Sequence, residues 1–280
     1  MKKIFAIVLA ALMVAGMFAG CGNSAEETQA PETTAAAAET TAAAAEPTEA
    51  AEAAAFTTIE EGKLIMSTNA AFPPSEMVAE DGSFEGIDVE GCGAIAVKLG
   101  LELVGDDMDF DAALLAVQQN KSDVVMAGVT VTEDRMMVMN FSDSYATGVQ
   151  VIIVAEGSDV TIDHLGEKMI GTQRATTGNI YATDDYGEDH VTAYDNGASA
   201  VQALMNGQVD CVIIDSAPAQ AFVDANPGLA ILDTEYVTEN YAIGINKDNT
   251  ALVEAINGAL AELIADGTVQ SIVDKYISAE

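Results

Sequence analysis

Segments typical of β-strands and of α-helices alternate along this chain from residue 63 to residue 276. Residues 63–68 have the apolar character of a strand, and residues 86–99 carry apolar side chains at helical spacing. Further strands are predicted at 101–104, 124–129, 149–155, 169–172, 191–194, 209–214 and 242–245, and further helices at 111–119, 177–186, 198–206, 218–226, 252–265 and 269–276. Such alternation predicts parallel sheets with helices on both faces. Because it restarts near residue 150, we expect an α/β protein built from two such units.

The first 20 residues have the layout of a secretory signal peptide. Two lysines form a positive start, residues 4–18 are almost wholly apolar, and two small residues follow. The apolar run is shorter than the roughly 20 residues that a membrane-spanning helix needs. We therefore predict a cleaved signal at residues 1–20, and an uncleaved membrane anchor is the alternative.

Cys21 directly follows Phe18, Ala19 and Gly20, an arrangement that resembles the lipobox of bacterial lipoproteins. The resemblance implies cleavage before Cys21 and a lipid attached to this cysteine. Residues 21–58 continue as a low-complexity stretch of Ala, Thr and Glu with almost no large apolar side chain. Such a stretch cannot bury enough surface to offset the entropy lost on ordering. We predict a disordered tether that could reach about 120 Å when extended.

The charge balance excludes some classes of partner. The formal net charge is −35, with only 10 Lys and Arg residues against 45 Asp and Glu residues. Nucleic acids and anionic lipids are bound chiefly through Lys and Arg, so we expect neither to bind the folded body. Cys92 and Cys211 each lie in an apolar run, which favours buried free thiols over the alternative of a disulfide.

No metal site or cofactor site is predicted. The acidic run 106–111 has alternating Asp residues, but Ala112 replaces the turn glycine of a calcium loop and Gln118 its final Glu. The two histidines have no metal-ligand spacing around them, and no glycine-rich phosphate loop is present.

Ligands of open α/β sheets bind beyond the carboxyl ends of the strands, which directs attention to 69–74, 130–135, 173–178 and Asp215. Arginine occurs only at Arg135 and Arg174. A guanidinium can hold a carboxylate with two parallel hydrogen bonds. Arg135 is three residues past Thr132, a good helix N-cap, and could turn back into the crevice with the hydroxyl of Thr130. The alternative is a capped surface helix whose arginine pairs with a neighbouring Asp.

Seven blocks of the chain resemble the polar amino-acid substrate-binding proteins of ABC transporters, solute-binding family 3. The blocks are TNAAFPPSE (68–76), GIDV (86–89), AGVTVTEDR (127–135), NFSDSY (140–145), QRATTG (173–178), VDCVIID (209–215) and ADGT (265–268). They occur in the order of that family and cover nearly all of residues 59–280.

The resemblance implies two α/β lobes joined by a hinge of two crossing strands, of the type II periplasmic-binding-protein kind. Lobe 1 would comprise 59–147 and 239–280, and lobe 2 would comprise 148–238. The amino acid would be enclosed between the lobes.

The resemblance also places nine residues around the ligand. They are Asn69, Phe72, Phe110, Gly128, Thr130, Arg135, Gln173, Thr177 and Asp215. Arg135, helped by Thr130 and Gly128, resembles the group that binds the α-carboxylate, and Thr177 resembles the second-lobe contribution to it. Asp215 resembles the acceptor for the α-ammonium, and the two phenylalanines match aromatic positions that pack on the ligand side chain.

Some positions depart from the pattern of this family. Asn69 stands where many members have Asp, which favours a ligand other than Lys or Arg. Ala175 stands where Gly is frequent. Arg174 occupies a variable position, and three alternatives stay open for it: a contact with the ligand, a bridge between lobes, or the surface.

The resemblance predicts an extracytoplasmic lipoprotein that delivers an L-amino acid to an ABC permease, as a monomer and without catalysis. The alternative is a dehydratase of the prephenate or arogenate type on the same scaffold, with Glu76 as the nearest candidate for a general acid. A surface adhesin or sensor module is a further alternative.

Overall fold

A computed structural model describes residues 56–277 of the protein. The signal peptide, Cys21 and all but the last three residues of the predicted tether lie outside these residues. Within residues 56–277, no helix is both long enough and apolar enough to cross a membrane.

Fourteen strands and eight α-helices are formed by the described residues. The strands are β1 (Lys63–Thr68), β2 (Ala71–Phe72), β3 (Glu76–Val78), β4 (Phe84–Glu85), β5 (Glu102–Asp107), β6 (Val124–Val125), β7 (Met139–Phe141), β8 (Ala146–Ala155), β9 (Ile170–Gln173), β10 (Val191–Tyr194), β11 (Cys211–Asp215), β12 (Leu229–Ile231), β13 (Val237–Tyr241) and β14 (Gly244–Asn246). The helices are α1 (Ile87–Lys98), α2 (Phe110–Gln118), α3 (Glu133–Val138), α4 (Thr177–Tyr186), α5 (Gly197–Met205), α6 (Ser216–Ala225), α7 (Thr250–Ala265) and α8 (Thr268–Tyr276), with short 3-10 turns at Ile162–Glu167 and Glu188–His190.

The first sheet has the order β5-β1-β6-β14-β7. Strand β1 runs parallel to β5 and β6, whereas β14 is antiparallel to β6 and β7. Neighbouring residues of β6 enter different cores, since Val124 packs with α1 and α7 and Val125 packs with α2. Successive side chains of a strand point to opposite faces, so helices cover both faces of this sheet.

The second sheet has the order β10-β9-β11-β8-β12, and β13 also pairs with β8. Alternate residues of β8 again enter different cores: Ile153 packs with α5 and α6, and Ile152 packs with Ala182 of α4. Burial on both faces explains why β8 and β11 read as continuous apolar runs in the sequence.

The chain crosses between the two sheets twice. It leaves the first sheet after β7, passes through residues 142–145 and enters β8, and it returns through residues 242–243 between β13 and β14. The two crossing strands β8 and β13 pair antiparallel, with Ala146 opposite Tyr241. The protein is thus two α/β lobes joined by a hinge of two strands, as the resemblance implied. The lobe boundaries drawn at 147/148 and 238/239 stay a prediction.

The prediction of parallel sheets is wrong at two strands, β8 and β14. Each begins where the chain enters a new sheet, and each runs antiparallel to all of its neighbours there. Strand β13 pairs antiparallel with β8 and so has the same direction as β11. The small antiparallel sheet β2-β3-β4 was not predicted either. Its strands are two or three residues long, too short for a periodic pattern. Cys92 and Cys211 are buried and free.

We expect Ile245→Ala to lower the free energy of unfolding by about 2–5 kcal/mol, because Ile245 is fully buried on the central strand β14 and the change leaves a cavity. Ile264→Ala is the matched control: Ile264 is 53% exposed on α7, and we expect a change below about 1 kcal/mol. Urea unfolding followed by far-UV circular dichroism measures both. Equal losses in the two variants would contradict this account of the core.

Candidate functional site

A small cavity lies at the carboxyl ends of the strands, between the two lobes. Its lining comprises Asn69, Phe72, Glu76, Phe110, Ala127, Gly128, Thr130, Arg135, Gln173, Thr176, Thr177 and Asp215. All nine residues that the resemblance places around the ligand are among them. Both lobes therefore contribute to one site, and three further residues join it.

Arg135 is buried in the first turn of α3. The hydroxyl of Thr132 accepts a hydrogen bond from its backbone N–H at 3.2 Å, so the predicted N-cap is confirmed. The guanidinium donates to the carbonyl of Thr130 at 2.8 Å and to the carbonyl of Ala175, in the other lobe, at 3.0 Å. It forms no ion pair within 4.0 Å among residues 56–277. A buried cation without a carboxylate partner is suited to bind an anion.

The amino end of α4 faces the same cavity. The Thr176 hydroxyl caps the helix by accepting from the Asn179 backbone N–H at 3.2 Å, and Thr177 is the first helical residue. Backbone N–H groups at a helix start carry partial positive charge and attract anions. The Thr177 hydroxyl lies 3.4 Å from that of Thr130. The helix end and Arg135 therefore provide positive character from opposite lobes.

Gly128 allows the chain to pass between two aromatic rings. Its φ of 56° is in the left-handed region, which favours glycine. A Cβ at this position would approach Phe72 at 3.4 Å and Tyr241 at 3.6 Å. Its N–H donates to Asp88 at 2.8 Å, which holds this turn against α1.

Phe72 and Phe110 form the apolar part of the cavity. Both side chains are buried. Phe72 also packs with the core of the second lobe, and the guanidinium carbon of Arg135 lies 5.5 Å from the Phe110 ring centroid. This cation–π contact fixes the Arg135 side chain against the wall of the cavity.

Asp215 is the last residue of β11 and lines the same cavity as Arg135. Its carboxylate accepts a hydrogen bond from the Gln150 amide at 2.8 Å and another from the Tyr241 hydroxyl. Burial, and then the neighbouring carboxylate of Glu239, raise the pKa of Asp215 to about 8. A cation placed beside Asp215 would favour its ionised form.

Glu76 is a cavity residue that the resemblance does not place around the ligand. It is 1% exposed, and neither of its carboxyl oxygens has a hydrogen-bond partner among the described residues. Burial and the nearby Asp88 raise the pKa of Glu76 well above its usual range. Burying an unpaired carboxyl group is costly, so this side chain is suited to bind a donor.

Asn69 and Gln173 bridge the lobes. The Gln173 amide donates to the Asn69 side-chain oxygen at 2.9 Å, and the Asn69 amide donates to the Met108 carbonyl at 2.8 Å. The Gln173 side-chain oxygen is buried and has no partner among the described residues. Together with Glu76, it gives the cavity a surplus of acceptors.

Of the three alternatives left open for Arg174, the structure shows the third, a position on the surface. Its side chain is 51% exposed and pairs with Asp195 at 2.8 Å, and it does not line the cavity. The next residue, Ala175, has a φ of 62°, in the left-handed region that glycine adopts more easily than alanine. The strained turn aims the Ala175 carbonyl at Arg135.

Glu239 is another buried carboxylate near the cavity, and none of the sequence motifs indicated it. It accepts hydrogen bonds from the Thr177 hydroxyl at 2.9 Å and the Gln150 amide at 3.0 Å. The side chains of β13 alternate between two faces of the sheet, and Glu239 lies on the same face as the buried Tyr241. This pattern could have indicated that Glu239 is buried.

Comparisons with known proteins agree with this geometry. The model of the family "Bacterial extracellular solute-binding proteins, family 3" matches residues 64–279. ABC transporter arginine-binding protein 1 of Escherichia coli (strain K12) is 29% identical over 219 residues, which cover 76% of this chain and 90% of that protein.

Two solved structures are similar in fold and in sequence. A mutant of ArgBP from T. maritima is 38% identical, with a TM-score of 0.74, over 78% of this chain and 96% of that one. An ancestral arginine-binding protein bound to glutamine is 37% identical, with a TM-score of 0.75, over 79% and 100% of the two chains. These relatives are solute-binding proteins and not enzymes, so the dehydratase alternative is not supported. The chain belongs to the bacterial extracellular solute-binding proteins of family 3.

Proposed function

We propose that the protein captures an L-amino acid with a cationic side chain outside the cytoplasm and delivers it to an ABC permease. The observation that carries the choice of ligand is the pair of unpartnered oxygens of Glu76, buried in a cavity that also holds Arg135 and Asp215.

The two charged ends of an amino acid each have complementary groups in the cavity. Arg135 and the amino end of α4 would bind the α-carboxylate, because a guanidinium and helix N–H groups are complementary to a carboxylate. Asp215 would accept from the α-ammonium. Gly128 and Thr130 would line the carboxylate end, as the resemblance implies.

The ligand side chain would meet acceptors rather than donors. Glu76 offers two unpartnered oxygens and Gln173 offers one. A guanidinium or ammonium has several N–H donors and no acceptor, so it satisfies such a surface, and the rings of Phe72 and Phe110 suit a cation. Asn69 stands where many family members have Asp, and by itself it favoured a ligand other than Lys or Arg. Glu76 supplies the cavity with the carboxylate that position 69 lacks. A cationic ligand agrees with the similar proteins that are arginine-binding proteins.

Ligand binding would favour closure of the two lobes. Arg135 belongs to the first lobe, whereas Thr177 and Asp215 belong to the second. A ligand that contacts both lobes stabilises the closed form by its differential affinity for that form. The closed form is then the one that the permease would recognise.

The protein would act at the outer face of the cell membrane. The predicted signal peptide, the lipobox-like sequence before Cys21 and the tether support export and lipid anchoring of a monomer. The tether would leave the folded body free to reach a permease in the same membrane.

We expect Arg135→Ala to weaken amino-acid binding by more than about 100-fold, roughly 3 kcal/mol, because the ligand carboxylate would be buried without a partner. Arg174→Ala is the matched control, since Arg174 is exposed and pairs only with Asp195, and its affinity should stay within about twofold of the wild type. Isothermal titration calorimetry, after a thermal-shift screen of the twenty amino acids, measures both. Similar affinities for the two variants would refute the role given to Arg135.

We expect Glu76→Gln to remove the preference for a cationic side chain. L-Citrulline is a neutral ligand of nearly the same shape as L-arginine, so the ratio of their affinities isolates the charge. The wild type should favour arginine by about tenfold or more, and Glu76→Gln should bring the ratio close to one, because a charged hydrogen bond becomes a neutral one. An unchanged ratio would contradict the cationic ligand while leaving the role of Arg135 intact.

Cys21→Ala should move the protein from the membrane fraction to the soluble fraction of the exported material, because the lipid attaches only to Cys21 in this proposal. Fractionation followed by immunoblotting checks it. Affinity for the amino acid should not change, since Cys21 lies outside the folded body. Retention of the variant in the membrane would instead support an uncleaved anchor.

A further inference from the structure

Gln150 links two buried carboxylates in the hinge. Its amide nitrogen donates to Asp215 at 2.8 Å and to Glu239 at 3.0 Å, so the two accepting oxygens lie within about 6 Å of each other. Like charges at this separation disfavour each other's ionised form. Gln150 lies on β8 and Glu239 on β13, the two crossing strands, and Asp215 ends β11 opposite Gln150.

The pair has no cation in direct contact. Both carboxylates are more than nine-tenths buried, and neither forms an ion pair among residues 56–277. One Glu239 oxygen accepts no hydrogen bond from the described residues. The titratable and charged groups that face the pair from the surrounding elements are Arg135 of α3, Tyr181 of α4, Tyr241 of β13 and Glu76 of β3. Of these, Arg135 is the one cation, and its guanidinium donates to carbonyls instead.

Two glycines, Gly148 and Gly178, bring the backbone close to the side chains of Asp215 and Gln150. A Cβ on Gly148 would come within 2.7 Å of the Asp215 carboxylate, and a Cβ on Gly178 would come within 2.7 Å of the Gln150 side-chain oxygen. A side chain at Gly148 would force Tyr241 and Asp215 to shift, and one at Gly178 would force Gln150 to shift. Two carboxylates held together in this enclosure need a positive charge, which either a proton or a bound ammonium can supply.

We propose that Asp215 and Glu239 form one proton-holding site, and that the ligand α-ammonium displaces this proton to solvent when it binds. Glu239 is then a positioning residue for the ammonium end of the ligand. The inference rests on the proposed function, because it requires an amino acid in the cavity. The step balances: the carboxyl group loses H⁺ to solvent, and the carboxylate that remains pairs with the ammonium.

The direction of the pH dependence follows from the raised pKa of Asp215, about 8. Below this pH the pair without ligand holds its proton, and the ligand must displace it. The apparent affinity should therefore rise with pH by up to about tenfold per unit between pH 6 and pH 7.5, and level off as the pH passes the pKa.

Calorimetry in buffers of different ionisation enthalpy counts the protons released on binding. We use the amino acid that gives the largest thermal shift, at pH 7, in phosphate and in Tris. Wild-type protein should release measurably more protons than Glu239→Gln, because the variant removes one of the two causes that raise the pKa of Asp215, the like charge of Glu239, and leaves the other, burial. Glu76 is present in both the wild type and Glu239→Gln, so any proton that Glu76 loses contributes equally to the two measurements and does not change the difference between them. The pH profile of affinity should also be flatter in Glu239→Gln.

A merely structural role of Glu239 predicts a different result. Loss of its hydrogen bond from Thr177 would weaken binding by the same factor at every pH and leave proton release unchanged, and that outcome would overturn the proposal. Glu76→Gln is the matched control: it should weaken arginine binding but keep the proton that depends on Glu239.

A second measurement needs no variant, and its first step needs no ligand. Carbon-13 NMR of the carboxyl groups in the wild type should give one carboxyl of the pair a pKa near neutrality or above, and titration with ligand at pH 7 should ionise it. Two carboxyls that titrate below pH 5 without ligand would refute the proposal, even if Glu239→Gln does not fold. If no amino acid binds, the proposed function fails, and the NMR titration still decides whether the pair holds a proton.

Discussion

The burial of the Arg135 guanidinium is the constraint on which the rest of the site depends. A buried cation without a carboxylate partner is stable only if its donors are satisfied, and here two carbonyls satisfy two of them. One carbonyl belongs to Ala175, whose left-handed conformation costs on the order of 1 kcal/mol or more. The Thr132 cap fixes the start of α3 and thus the origin of the Arg135 side chain.

The remaining polar groups around this cation carry both signs of charge. The amino end of α4 adds positive character, its Thr177 hydroxyl donates to Glu239, and Asp215 and Glu76 line the same cavity as Arg135. The carboxylates outnumber the cation, which is consistent with the proposed ligand, an amino acid that brings more positive charge than negative charge. The hinge strands β8 and β13 carry Gln150 and Glu239, so the elements that join the two lobes also hold polar groups beside the cavity.

Much of the fold could be predicted because long elements leave a periodic pattern. The predicted bounds of β1, α4 and β10 are those of the structure, and each of these elements has four or more residues. The strands that were missed are short, or lie where the chain crosses between sheets. Strand direction could not be predicted either, because it depends on which sheet a strand joins, and pairing between distant segments leaves little local signal.

By itself, the sequence determined the alternation of strands and helices, the capped helix behind Arg135 and, through its motifs, the residues that line the cavity. These features depend on local propensity and on spacing along the chain. Only the tertiary structure decided that Arg174 pairs with Asp195 at the surface, and that Glu76 and Glu239 are buried beside the cavity. The physical reason is that the cost of burying a charge depends on its surroundings in space, and residues distant in sequence supply those surroundings.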